Sequence, residues 1–214
     1  MNSLDLTIAC SGSSPEETAE AISSIAPLLH ECRVSAEFLI LADDVDAQFP
    51  AEVSGIPLRL AAPERATCGE TLRTAVREAF GQWLITLDNP SPHDASLVFA
   101  FCHRRNREDL VIASRYANGG AYTMPWFRAV VSRSLNWMYR TALSLPIRDL
   151  SSGRRMYRTS MLRRVAIEGE DYDVLMEVLL RFMAQGGSVG ELPFHYESRQ
   201  YRQERGTAFR LFRS

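Results

Sequence analysis

Two kinds of chemistry-bearing side chain stand at the ends of apolar runs in this 214-residue chain. Asp43, Asp44 and Asp46 follow the run at 37–42, Asp88 follows the run at 83–87, and Ser114 with Arg115 follows the run at 110–113. A carboxylate in such a place suits a hard cation or a sugar hydroxyl, whereas a guanidinium grips phosphate through two parallel N–H bonds. Further along, Arg128 and Ser132 are four apart. On a helix they share one face, where a fork of donors and a hydroxyl can hold one phosphate together.

The elements that must position these groups follow from periodicity and end signals. Residues 4–9 read as a strand, and Ser14, Pro15 and Glu17 form a capping-box start for a helix reaching about residue 30. The run at 37–42 reads as a buried parallel strand, 57–61 as a strand, 69–80 as a helix, 83–87 as a strand, 95–104 as a helix and 110–113 as a strand. Such alternation predicts a mainly parallel central sheet with helices on both faces and ligands at the carboxyl ends of the strands. Beyond Tyr116 come a turn at Asn118-Gly119-Gly120, a helix over about 125–145, a loop at 149–153, a strand at 155–158, a helix at 173–185 and a strand at 188–193. A single domain over 1–198 with an arginine-rich tail at 199–214 is the expected organisation.

Composition narrows the chemistry. All 24 basic residues are arginine, against 26 acidic ones, so Schiff-base catalysis and a lysine-bearing phosphate loop are excluded. Residues 1–100 carry 15 Asp/Glu and 5 Arg; residues 101–214 carry 11 and 19. That split reads either as faces neutralising each other within the molecule or as an acidic, metal- or sugar-facing half beside a phosphate-holding half. Cys10, Cys32, Cys68 and Cys102 are too widely spaced for a zinc site or disulfide framework, which fits a reducing compartment. No leader pattern and no run of ~18 apolar residues is present, so a soluble or peripheral protein is expected. Arg104-Arg105-Asn106-Arg107 is one short run without interleaved aromatics and reads as a solvated loop; with a pI near 6.1, no nucleic-acid partner is expected.

Five separated motifs carry a resemblance. They are Ile112-Ala-Ser-Arg-Tyr-Ala-Asn-Gly-Gly120; Trp126-Phe-Arg128 with Ser132 and Asn136; Asp149-Leu-Ser-Ser-Gly-Arg-Arg-Met-Tyr-Arg158; Glu177; and Glu191-Leu-Pro-Phe194. In order and spacing the chain resembles the dolichyl/polyprenyl-phosphate mannosyltransferase-like branch of the family 2 glycosyltransferases. The resemblance implies an α/β GT-A (nucleotide-diphospho-sugar transferase) fold and inverting transfer of a sugar from a nucleotide-sugar to a polyprenyl phosphate. It implies Arg115, Arg128 and Ser132 at the acceptor phosphate, and Asp43, Asp44, Asp88 and Arg199 at the donor nucleotide. Asp88, Arg115 and Arg128 are the expected catalytic set, with Asp149, Ser152 and Glu177 in support. It also implies a peripheral protein at the inner, cytoplasmic face of a membrane, with a membrane-protein or homo-oligomer partner.

The chain also departs from the family's pattern. The Asp-x-Asp that reaches a metal and the diphosphate is here Asp88-Asn89-Pro90. Mg2+ or Mn2+ is the implied cofactor with Asp88 as its ligand, and Pro90, which has no side-chain oxygen, counts against it; His93 or Asp94 would compensate only if the loop were rearranged. The first strand ends in Ala9-Cys10-Ser11-Gly12-Ser13 in place of Pro-x-Tyr-Asn-Glu. Two explanations stay open: an enzyme with a different donor or with arginine in place of part of the metal, or a non-catalytic GT-A module for binding or assembly. Glu177 also has a purely structural reading, as a buried partner of Arg154 or Arg155. The helix bearing Trp126, Trp137 and Tyr139 and the tail bearing Phe209 and Phe212 are candidates for contact with a membrane surface.

Overall fold

The computed structural model describes residues 4–12, 14–42, 49–119, 121–123, 147–171 and 173–197. Its first strand, β1 (Leu6–Ser11), leads into helix α1 (Pro15–Glu31), which starts where the local chemistry dictates. Ser14 Oγ accepts from the Glu17 amide at 3.3 Å and the Glu17 carboxylate accepts from the Ser14 amide at 3.4 Å, so two otherwise orphaned donors are satisfied reciprocally. There follow β2 (Ala36–Leu41), β3 (Glu52–Val53), β4 (Ile56–Ala61), α2 (Cys68–Glu78), β5 (Trp83–Asp88), α3 (Asp94–Arg104) and β6 (Leu110–Ser114). The remaining elements are β7 (Ala121–Thr123), β8 (Arg155–Arg158), α4 (Thr159–Leu162), α5 (Val174–Ala184), β9 (Val189–Pro193) and β10 (His195–Glu197).

Eight strands form one sheet in the order β3-β4-β2-β1-β5-β8-β6-β9. The pairs β1/β2, β1/β5 and β2/β4 are parallel, while β8 is antiparallel to both β5 and β6. All six residues of β2 are buried, on both sides of the pleat, which requires cover on both faces of the sheet. Register then fixes where ligands can meet it: Ser11 lies opposite Leu41 on one side and Asp88 on the other, at one level of the carboxyl edge.

Four elements, β3, β7, α4 and β10, are additions to the sequence expectation, and two features bear on the main sheet. The β3/β4 hairpin turns on Ser54 and Gly55, both at positive φ (52° and 76°), as a two-residue turn joining right-twisted strands requires. Strand β8, though expected as a strand, inserts antiparallel between β5 and β6, so the segment at 153–155 lies beside the carboxyl half of β5.

The chain divides into two compact units, Met1–Ile112 with Ser151–Gly190, and Ala113–Leu150 with Glu191–Ser214. The first holds the body of the sheet and the helices α1, α2, α3, α4 and α5. In the second, β7 and β10 pair in parallel, with Tyr122 opposite Tyr196.

Candidate functional site

In the first unit a cavity of about 580 Å³ opens at the carboxyl ends of β1, β2 and β5. Its walls come from Cys10, Ser11 and Gly12 at the end of β1, from Ile40 to Ala42 at the end of β2, from Thr86 and Asp88 of β5, and from Thr67, Cys68, Thr71 and Leu72 at the start of α2. Gly153, Asp171 and Leu175 also line it. The volume suits a nucleotide-sized ligand, and the lining is largely apolar with a few hydroxyls and two carboxylates.

Asp88 is built into this wall by backbone approach. Gly12 is at φ 78°, and a Cβ there would stand 3.1 Å from Asp88 Oδ1; a Cβ on Gly153 would stand 3.3 Å from the Asp88 Cβ. The Asn89 side-chain amide donates to Asp88 Oδ1 at 2.8 Å, and the Asn89 backbone amide donates to the Ser11 carbonyl at 2.8 Å. Thr86 Oγ1 donates to the Gly153 carbonyl at 2.8 Å, tying β5 to the turn that precedes β8.

The loop from Asn89 to Asp94 is held from inside. Asp94 is fully buried, and its carboxylate accepts Arg154 Nε at 2.6 Å, Arg154 Nη2 at 3.1 Å and the Ser91 amide at 2.8 Å. Arg154 Nη2 also donates to the Asn89 carbonyl at 3.1 Å, so one guanidinium spans both ends of the loop. Burial pushes the Cys10 thiol up to about 12, with Asp94 adding to it, and pushes Cys68 up to about 11, with Asp88 adding. Both thiols therefore stay protonated at neutral pH, and neither supplies a thiolate nucleophile.

The wall that carries Asp171 is fixed to α2. Arg73 donates to Glu70, to Glu170 and to the carbonyls of Ile167 and Gly169. Thr67 Oγ1 donates to Glu170 at 2.7 Å, and the Gly69 amide donates to the Glu170 carbonyl at 2.8 Å. Glu177 receives the Gly169 amide at 2.7 Å and the Glu168 amide at 3.2 Å and pairs with Arg181 at 3.0 Å. The pairing of Glu177 with Arg154 or Arg155 anticipated from sequence is thus corrected. Arg154 is taken by Asp94, whereas Arg155, fully buried, donates to the Ser152 and Leu175 carbonyls.

In the second unit Arg115 and Asp149 meet as a two-pronged pair, Nε to Oδ2 at 2.7 Å and Nη2 to Oδ1 at 2.6 Å. Asp149 Oδ2 also accepts the Arg115 amide at 3.0 Å, and Glu191 accepts the amides of Arg148 and Asp149 at 3.0 and 2.9 Å. Ser114 Oγ accepts the amides of Tyr116 and Ala117, which sets the turn after β6. The guanidinium carbon of Arg115 lies 5.4 Å from the centre of the Tyr116 ring.

No protein-family profile matches the chain. Over 96 residues it is 33% identical to the polyprenol monophosphomannose synthase of Mycolicibacterium smegmatis, a match covering 43% of this chain and 36% of that protein. Over 121 residues it is 27% identical to the undecaprenyl-phosphate mannosyltransferase of Micrococcus luteus, covering 55% and 50%. The matches thus span between about a third and half of those relatives' lengths. Among solved structures, glucosyl-3-phosphoglycerate synthase from Mycobacterium tuberculosis with Mn2+ and UDP-glucose superposes with a TM-score of 0.65 at 19% identity, over 91% of this chain and 71% of that one. The same synthase with Mg2+ and UDP gives 0.62 at 19%, over 92% and 72%. The chain has the GT-A glycosyltransferase fold.

Within this GT-A fold the expected residues are scattered over several places. Asp88 lies in the cavity wall of the first unit; Arg115 and Asp149 are brought together in the second. Ser152 is buried, and its hydroxyl accepts the Arg154 amide at 3.4 Å, a contact that shapes the turn before β8. Asp43, Asp44, Arg128, Ser132 and Arg199 lie outside the described residues, as do Trp126, Trp137 and the arginine-rich tail.

A divalent ion fits the described part of the GT-A site poorly. Asp88 Oδ1 already faces the Asn89 amide, Pro90 brings no oxygen from its side chain, and Asp94 is committed to Arg154. Among the described residues no group of three or more His, Cys, Asp or Glu side chains is arranged to hold a metal. Sequence reasoning missed Asp171, Thr67 and Thr71 as cavity residues. The Thr67 cap at the start of α2 was the one local signal, since a helix start after an apolar strand commonly faces a ligand. Asp171 had none. Among the described residues no helix is long and apolar enough to cross a membrane.

Proposed function

We propose that the chain transfers a sugar from a nucleotide-sugar to the phosphate of a polyprenyl lipid, with inversion at the anomeric carbon, at the cytoplasmic face of a membrane. The observation that carries this is the cavity at the carboxyl ends of β1, β2 and β5, with Asp88 in its wall, in a fold shared with a UDP-glucose-binding synthase. The lipid acceptor is supported by the sequence match to two enzymes named for polyprenyl-type acceptors and by the acceptor motifs. A phosphate monoester has its second pKa at ~6 and is mostly a dianion at neutral pH, so it needs alignment more than a base. Asp149 holds the Arg115 fork in a fixed direction, Arg128 and Ser132 share the acceptor phosphate, and Asp88 faces the donor. Arg199, with Asp43 and Asp44, serves the nucleotide, and stabilisation of the departing diphosphate lowers the barrier.

The test is transfer of radiolabelled sugar from a nucleotide-sugar into an organic-extractable product. Transfer is expected only with added undecaprenyl phosphate and is expected to vanish in Arg128→Ala. Transfer without lipid, or retained in that variant, removes the acceptor assignment. Pro90 and the commitment of Asp94 favour a second reading, a non-catalytic GT-A module that acts in binding or assembly. It predicts no thermal shift with any nucleoside diphosphate, so a saturable shift counts against it.

A further inference from the structure

The loop after β5 contains the point where the resemblance expects a second metal-binding carboxylate, and here it is organised by an internal ion pair. Arg154 comes from the turn before β8, and its guanidinium bridges the Asn89 carbonyl at one end of the loop and both oxygens of Asp94 at the other. Both partners are almost wholly withdrawn from water, with side-chain exposures of 8% and 0%. Asp94 further accepts the amide and the hydroxyl of Ser91, so the carboxylate closes the loop on itself as well. A cation bridging loop and ligand would do two things: fix the loop backbone and supply positive charge. The first is already done by Arg154, and the loop side chains at the second position cannot contribute a ligand.

We propose that Arg154 is a positioning residue that substitutes for the loop-ordering role of a divalent ion, so that this chain binds nucleoside diphosphate without metal. The inference rests on the donor-site reading above. Arginine suits the role because its rigid fork reaches a carbonyl and a carboxylate at once, which a point-charge ammonium does not. Asp88 leaves the strand directly into this loop, so the direction of its carboxylate depends on the Arg154 bridge between Asn89 and Asp94.

The experiment is calorimetric titration of the full chain with UDP, GDP, ADP and CDP in EDTA and again with excess Mn2+. The expected result is saturable binding of at least one diphosphate in EDTA, with a Kd within about threefold of its value in Mn2+. Binding seen only with Mn2+ overturns the inference while sparing the donor site, whereas no binding in either buffer removes the donor site and the inference with it. In Arg154→Met the EDTA affinity should fall tenfold or more, and Arg154→Lys should recover only part of it. Unchanged affinity in a folded Arg154→Met overturns the positioning role; if that variant does not fold, Arg154→Lys carries the test, and an EDTA affinity in it equal to wild type overturns the role.

Discussion

Replacing Asp149 by alanine tests whether the Arg115 pair holds the second unit together. The substitution removes two side-chain bonds of 2.6 and 2.7 Å and the 3.0 Å bond from the Arg115 amide, and it leaves a guanidinium whose side chain is only 12% exposed. Breaking one side of a buried pair typically costs about 3–5 kcal/mol, and the partial exposure of Arg115 places this case near the lower figure, about 3 kcal/mol. For a chain of this size that corresponds to a fall of about 6–12 °C in Tm. Urea unfolding of Asp149→Ala, Arg115→Met and the double variant closes a thermodynamic cycle. The double variant should be less destabilised than the sum of the singles by about 1 kcal/mol or more, because removing both charges leaves neither one stranded. Additive singles, or an Asp149→Ala midpoint equal to wild type, would show that the pair carries no such energy. Activity adds a second readout, since Arg115→Met should raise the lipid KM.

Two further outcomes follow from the wall of the cavity. A Cβ at Gly69 would lie 1.9 Å from the Gly169 carbonyl oxygen, a backbone atom, so Gly69→Ala should cost about 1–3 kcal/mol by overpacking and weaken nucleotide binding through Thr67 and Cys68; unchanged urea midpoint and Kd would contradict it. The hydrogen bond from Arg73 holds Glu70 below its ordinary 4.5 against burial, and that from Thr67, then Arg73, does the same for Glu170. Depressed carboxyls stabilise fully above their unfolded value and lose that contribution as pH falls through the folded one, so Tm should be flat from pH 7 to about 5 and drop below about 4.5, less steeply in Arg73→Met; equal slopes would contradict it.

What was legible in sequence was what local chemistry determines. Ser14, Pro15 and Glu17 set the start of α1, and the apolar runs gave β1, β2, β4, β5 and β6 to within two residues at most ends. The position of Asp88 came with its strand. The two-residue strand β3 is too short for periodicity, although Ser54-Gly55 is the kind of dipeptide its turn requires. Long-range charge pairing has no local signature: Arg154 meets Asp94 from 60 residues away and Arg115 meets Asp149 from 34. For Glu177 the spacing did speak, since Arg181 is four residues on, and that neighbour proved to be its partner.

The lysine-free composition has a structural meaning beyond the chemistry it excludes. Arg154 joins a carbonyl and a carboxylate across one loop, Arg155 joins the carbonyls of Ser152 and Leu175, and Arg73 joins two carboxylates and two carbonyls between α2 and the segment before α5. Each junction needs one cation with several donors in fixed directions, which the guanidinium has and an ammonium lacks. The charge split between the two halves of the chain is accordingly met in part inside the molecule, since Asp94 of the first hundred residues is neutralised by Arg154. An arginine count therefore overstates the positive charge available for phosphate. An arginine assigned to phosphate must be one whose fork is unsaturated or is aimed by a carboxylate such as Asp149, and the Asp149 cycle measures how firmly that aim is held.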